Sequence, residues 1–157
     1  MNIALFHFHV TQIKRSAGQS AVAAAAYRAG EKLHSKYYGE DSDYTRKGGV
    51  ICSEILLPSH APPEYADRET LWNAVEKAER GKKAQLAYSF DIALQNEFSM
   101  QENIDLARQF LLNNFVSRGM IGSCKKRFKA LIALRKSTFC VICVLRQKVA
   151  VLKGGMY

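Results

Sequence analysis

Residues 122–157 contain no Asp or Glu, although the 157-residue chain holds 14 of them. Nine basic residues lie in that stretch (Lys125, Lys126, Arg127, Lys129, Arg135, Lys136, Arg146, Lys148 and Lys153), so it carries the whole formal charge of +9, and residues 1–121 are neutral overall. A uniformly basic domain is therefore excluded, because a polyanion partner is signalled by where charge sits rather than by its sum. Histidine is also missing from the stretch, whereas Cys124, Cys140 and Cys143 fall inside it. Residues 122–157 thus read as a basic tail with a history different from residues 1–121. Two origins are open, a DNA-binding arm and an out-of-frame continuation produced by a frameshift.

Other absences narrow the class. There is no apolar run of about 18 residues and no charged start followed by an apolar run and a small-residue cleavage site, so neither a membrane span nor a signal peptide is expected. The expected compartment is the cytoplasm. Cys140-Val-Ile-Cys143 has no second pair and no histidine nearby, so it does not make a zinc site. Internal repeats are absent, and low complexity is confined to one alanine run.

What is present is the composition of a globular domain, with 48% hydrophobic and 24% charged residues. NIALFHFHV alternates with the period of a strand. RSAGQSAVAAAAYRAGEKL follows, and its Ser16-x-x-Gln19 spacing together with the alanines predicts a helix to about Leu33. YYGEDSDYTRKGG reads as a loop or hairpin leading into the strand VICSEILLP. A helix is expected from about Arg68 to Glu79, a strand over AQLAYSFDIAL, and a last helix opened by the capping box Ser99-x-x-Glu102 and stopped at Gly119. The order defines an α+β fold.

Tyr27 stands out on the alanine helix. Its same-helix neighbours are Ala23, Ala24, Gly30 and Glu31, so nothing bulky covers the ring, which either packs as core or projects into a groove. A phenol is a poor nucleophile unaided, and becomes useful when cations hold the group it attacks. Arg15, Arg28, Lys32, Arg46 and Lys47 are the basic residues that could hold phosphates, taken against the plain alternative of scattered surface charge. His7 and His9 share a strand face about 7 Å apart. Without a third ligand they are weak metal candidates and read first as strand surface. Asp91 is an acid inside an apolar strand, where it is either paired, functional or facing solvent.

Together these stretches resemble the MobA/MobL family of plasmid mobilisation relaxases. The resemblance rests on R-S-x-G-x-S with A-A-A-Y-R, then D-Y-T-R-K-G-G, SEILLPSHAPPEYAD and YSFDIAL, and covers residues 1–121 as the N-terminal part of a nicking domain. It implies a central antiparallel sheet backed by helices, incomplete at its C-terminal side. It also implies an enzyme that nicks one strand at an origin of transfer through a 5′-phosphotyrosine. By motif position the nucleophile is Tyr27, with Ser16, Gln19 and Ser20 added to the DNA-contacting residues. Of the family's acidic pair, which here reads Ser89-Phe-Asp91, only Asp91 carries over, either to orient a metal-binding histidine or to accept the tyrosine proton.

The implied cofactor is a divalent ion, Mg or Mn, held by three histidines that the family places after the position of Met120. This chain has no histidine beyond His60, so those ligands are missing and the chain is expected to be impaired in nicking. Arg135 to Phe139 can be encoded so that the next frame reads Gly-Asn-Pro-His, as a frameshift would require. The implied partners are single-stranded DNA at the origin, accessory mobilisation proteins and a coupling protein. The alternative function is a non-enzymatic DNA-binding protein that uses residues 122–157 as its arm.

Overall fold

The computed structural model describes residues 8–48, 50–93, 97–131 and 135–148, from residue 123 onward as backbone only. Its elements are β1 (Phe8–Lys14), α1 (Ala21–Ala29), β2 (Lys32–Ser35), β3 (Glu40–Asp43), β4 (Val50–Leu56), α2 (Arg68–Ala78), β5 (Gln85–Ala93), α3 (Met100–Asn114), β6 (Met120–Leu131) and β7 (Arg135–Lys148). Five strands form an antiparallel sheet in the order β1-β5-β7-β6-β4, and β2 and β3 make a separate hairpin. This is the expected α+β architecture.

Helices cover both faces of the sheet. On one, Val22, Ala25 and Ala26 of α1 and Leu71, Trp72 and Val75 of α2 join Ile13, Leu86, Ala87 and Ile121 in the main core. Alanine, with no side chain beyond Cβ, lets α1 lie close against its neighbours, and Ala21 and Ala26 are fully buried. On the other face Leu111 and Ala107 of α3 pack with Leu56, Phe90, Ile92 and Phe115. Alternation along β5 therefore sends Phe90 and Ile92 towards α3, and Ser89 and Asp91 towards the α1 side.

One expectation needs correction. The alanine helix does not start at Ser16 or run to Leu33. Residues Arg15–Ala17 form a 3-10 turn that ends at Gly18 with φ +70°, and the Gln19 side chain turns back to accept from the Lys14 amide at 2.9 Å. Ser20 is the cap, accepting from the Ala23 amide at 3.1 Å. Gly30, with φ +69°, stops the helix, and the chain from Lys32 is already strand.

The boundary expected at residue 121 falls inside β6. Residues 122–131 pair with β4 and β7, while residues 135–148 form β7 between β5 and β6. A stretch with a composition of its own thus pairs into the middle of the sheet. Position 122 bears this out in side-chain detail, because a Cβ on Gly122 would lie 2.9 Å from Leu111 Cδ2.

Candidate nucleic-acid interface

Tyr27 sits near the end of α1 with its side toward solvent, 46% exposed, so the groove alternative holds and the core alternative does not. The ring is nevertheless held. Tyr44 meets it edge-on with centroids 5.2 Å apart and an interplanar angle of 88°. Lys47 Nζ lies 2.9 Å from the ring centroid and donates to the Tyr27 carbonyl at 2.8 Å. A cation on an aromatic face fixes the ring as well as presenting positive charge beside it.

The D-Y-T-R-K-G-G motif explains how Tyr44 and Lys47 reach α1. Asp43 accepts from the Thr45 amide at 3.0 Å and from its hydroxyl at 2.7 Å, which closes the turn. Those hydrogen bonds hold the Asp43 carboxyl below the usual carboxylate range. The Tyr44 amide donates to Glu31 at 3.2 Å and the Lys47 amide to Tyr44 at 2.9 Å. A Cβ at Gly30 would come 3.3 Å from Val50 Cγ2 and 3.6 Å from the Lys47 carbonyl, so glycine there allows both the left-handed stop and the close approach of the loop.

Beside Tyr27 a groove of about 350 Å³ is lined by Thr11, Gln19, Ala23, Ala24, Arg28 and Tyr44, among others. Its strand side is supplied by Thr11, Gln12 and Ile13 of β1. Thr11 stands opposite Ser89 and His9 opposite Asp91, and directly opposed residues of an antiparallel pair share a face. Arg28 reaches Ser89 Oγ at 2.9 Å and its own helix at the Ala24 carbonyl, 3.1 Å. The motif tyrosine, Arg28, Ser89 and Asp91 therefore belong to one side of the sheet.

Other candidates have structural work instead. Arg15 is buried, with its guanidinium on the carbonyls of Glu76, Glu79 and Gly81 at the end of α2, so it is not a DNA contact at this groove. Ser20 caps α1 and donates to Glu76 at 2.6 Å, which uses its hydroxyl. Lys32 pairs with Asp41 at 3.2 Å on the β2–β3 hairpin. Ser16 and Arg46 are exposed, and Gln19 lines the groove while holding the Lys14 amide. Tyr44 and Thr11 went unselected in the sequence. Tyr44 could have been picked from its place in the same motif as Lys47, whereas nothing short of strand register points to Thr11.

The donors around this face do not fit a metal site. His9 faces Asp91, His7 lies outside the described residues, and among the described residues no three His, Cys, Asp or Glu side chains come together as a ligand set. Among those residues no helix is long and apolar enough to cross a membrane.

The sheet faced by helices agrees with what comparison with known proteins finds. Residues 19–129 match the MobA/MobL family, and the chain belongs to it. It is 38% identical over 129 residues to the conjugal transfer protein TraA of Rhizobium radiobacter, covering 76% of this chain and 12% of that protein. It is 41% identical over 105 residues to the mobilization protein MobL of Acidithiobacillus ferridurans, covering 67% and 27% respectively. A probable mobilization protein MobA of Bifidobacterium longum is 34% identical over 117 residues, covering 74% of this chain and 21% of that protein. The chain thus spans about a quarter or less of these relatives. A solved structure described as the molecular basis of vancomycin resistance transfer in Staphylococcus aureus superposes with a TM-score of 0.78 at 33% identity, covering 92% of this chain and 72% of that one.

Proposed function

We propose that this chain is the N-terminal part of a relaxase that nicks one DNA strand at an origin of transfer through Tyr27. The observation that carries the reading is the exposed, clamped Tyr27 ring, held by Lys47 and Tyr44 at the lip of a groove that Arg28 lines. In the nicking step the Tyr27 oxygen bonds to the phosphorus of the scissile phosphodiester and the bond to the 3′ oxygen breaks. That oxygen takes a proton and leaves as a 3′ hydroxyl, while the 5′ phosphate stays on the tyrosine; attack by the hydroxyl reverses the step. In this reading Lys47 and Arg46 face the DNA phosphates, and Asp91, with His9 opposite it in the sheet, takes the phenol proton.

The divalent ion the family implies, Mg or Mn, would polarise the phosphate, and among the described residues no three donor side chains come together to hold it. With no histidine beyond His60 and no three-residue donor cluster among the described residues, the chain by itself binds single-stranded DNA and nicks weakly or not at all. Accessory mobilisation proteins and a coupling protein are its protein partners in this reading.

The test is a cleavage assay on a single-stranded oligonucleotide carrying the matching origin, with Mg or Mn, comparing three proteins: this chain, a chimaera whose residues 120–157 are replaced by the corresponding metal-binding segment of a relative, and that chimaera with Tyr27→Phe. Nicking by the chimaera alone is expected. Robust nicking by the unaltered chain would mean that the metal ligands have been misplaced.

A further inference from the structure

A second groove, of about 610 Å³, opens on the far side of the 15–20 turn from Tyr27. Arg15, Lys36, Tyr37, Lys77, Glu79 and Arg80 are among its lining residues. Tyr37 is the most exposed large aromatic among the described residues, at 56%. Such exposure would ordinarily mean a mobile ring, yet this one is fixed twice. Arg15 Cζ lies 4.2 Å from its centroid, and Tyr38 meets it edge-on at 4.8 Å. Arg15 is itself immobile, because three carbonyls at the C-terminal end of α2 hold its guanidinium. The ring is thus a preorganised platform, one face on a fixed cation and the rest toward solvent.

Charge at this groove is one-sided at the rim. Lys36, Lys77 and Arg80, with Lys82 and Lys83 next in the chain, are exposed, and none of the five is in an ion pair among the described residues. The carboxylates that could oppose them are withdrawn. Glu76 is only 2% exposed and is bound by Ser20, Val22 and Ser35, and Glu79 is 7% exposed. Glu79 Oε1 has no hydrogen-bond partner, which leaves a buried acceptor beneath the groove. A fixed aromatic face, unpaired cations around it and an acceptor below form the combination that suits an unpaired base with its flanking phosphates, since stacking reads any base and the cations read the backbone.

We infer that the Tyr37 groove is a second single-stranded DNA site, in which one base stacks on Tyr37 and the adjoining phosphates lie against Lys36, Lys77 and Arg80. This rests on the DNA-binding part of the reading above and extends it to Tyr37 and the cations around it, which no motif marked. The same turn serves both grooves, giving Arg15 to this one and Gly18, Gln19 and Ser20 to the one beside Tyr27. A strand crossing that turn would be held on both sides of it. Duplex DNA cannot use the platform, because its bases are already stacked.

The experiment is fluorescence anisotropy of a short labelled single strand of mixed sequence on the full chain, over a range of salt, with thermal unfolding of each variant as a control. Tyr37→Ala is expected to weaken binding about tenfold, and Tyr37→Phe to restore it, as stacking requires. Lys77→Gln and Arg80→Gln should each flatten the dependence of log affinity on log salt by about 0.7, the value for one phosphate contact on a single strand. The two lysine and arginine variants carry the test even where Tyr37→Ala melts early. Unchanged affinity in Tyr37→Ala, with binding still sensitive to Arg46 and Lys47, would overturn this site and leave the Tyr27 reading standing. No binding of single strands by the unaltered chain would overturn both.

Discussion

Lys47 Nζ is 2.9 Å from the centre of the Tyr27 ring while the same ammonium donates to the Tyr27 carbonyl at 2.8 Å. One side chain thus ties the loop that follows β3 to both the backbone and the ring of the residue on which the proposed chemistry depends. Removing it as Lys47→Ala should cost about 1 kcal/mol, the sum expected of a partly exposed cation–π contact and a surface hydrogen bond. Tyr27→Phe keeps the ring and should leave stability within about 0.5 kcal/mol of the original. Chemical unfolding of the two variants side by side checks this; a Tyr27→Phe protein destabilised as much as Lys47→Ala or more would mean that the hydroxyl, and not the Lys47 clamp, holds the ring.

Acid should loosen the same loop. The Asp43 carboxyl, held below its ordinary range by the Thr45 amide and hydroxyl, favours the closed turn in its ionised form. A depressed carboxylate pKa means that its contribution is present above the unfolded value and is lost as pH falls through the folded one. Ring proton shifts of Tyr44 and Tyr27, followed by NMR down through the carboxylate range, should move together, and Asp43→Asn should shift them at neutral pH. Independent titration of the two rings would refute the coupling.

Glu76 is the buried charge that joins the helices. It accepts from Ser20 Oγ at 2.6 Å, the Val22 amide at 3.2 Å and Ser35 Oγ at 2.8 Å, linking α2 to the start of α1 and the end of β2. Glu76→Ala leaves those donors without a partner in a buried site and should cost about 3–5 kcal/mol, against about 1–2 kcal/mol for Ser35→Ala. Equilibrium unfolding decides between this and a negligible effect, which would show the carboxylate to be dispensable.

The strands beyond residue 121 also give a stability test. Truncation after residue 121 removes β7 and most of β6, so that β5 and β4 each lose a partner, and the shortened chain should lose its cooperative transition. Gly122→Val would drive side-chain atoms into Leu111 and should cost about 1–3 kcal/mol. A shortened chain that unfolds as cooperatively as the full one would restore the arm alternative. Truncation accordingly tests folding as much as DNA affinity.

Local signals were legible and distant ones were not. The β5 alternation, the α2 period and the Ser99 capping box all rest on residues within a few positions of one another, and each is found where the spacing places it. The Ser16-x-x-Gln19 spacing pointed to a cap at Ser16, but Gly18 in the left-handed region ends a 3-10 turn there and the helix starts from Ser20. Arg15 looked like a phosphate ligand because its partners are 61 or more residues away at the end of α2. Likewise Tyr27 could be named from its motif, but its clamp could not, since Lys47 is 20 residues on and reaches it only through the Asp43 turn. The tail shows a different limit. Composition marks history, whereas strand pairing depends on backbone and needs no compositional match to its neighbours.

The central claim is that Tyr27 is the residue that bonds to DNA. Peptide mapping by mass spectrometry of the covalent adduct, formed by the chimaera that carries a complete metal-binding segment on an origin oligonucleotide, tests it most directly. The account predicts a 5′-phosphodeoxynucleotide on the peptide that contains Tyr27, and none when Tyr27→Phe is introduced. An adduct on Tyr44, Tyr37 or any other residue, or one that survives Tyr27→Phe, would contradict it.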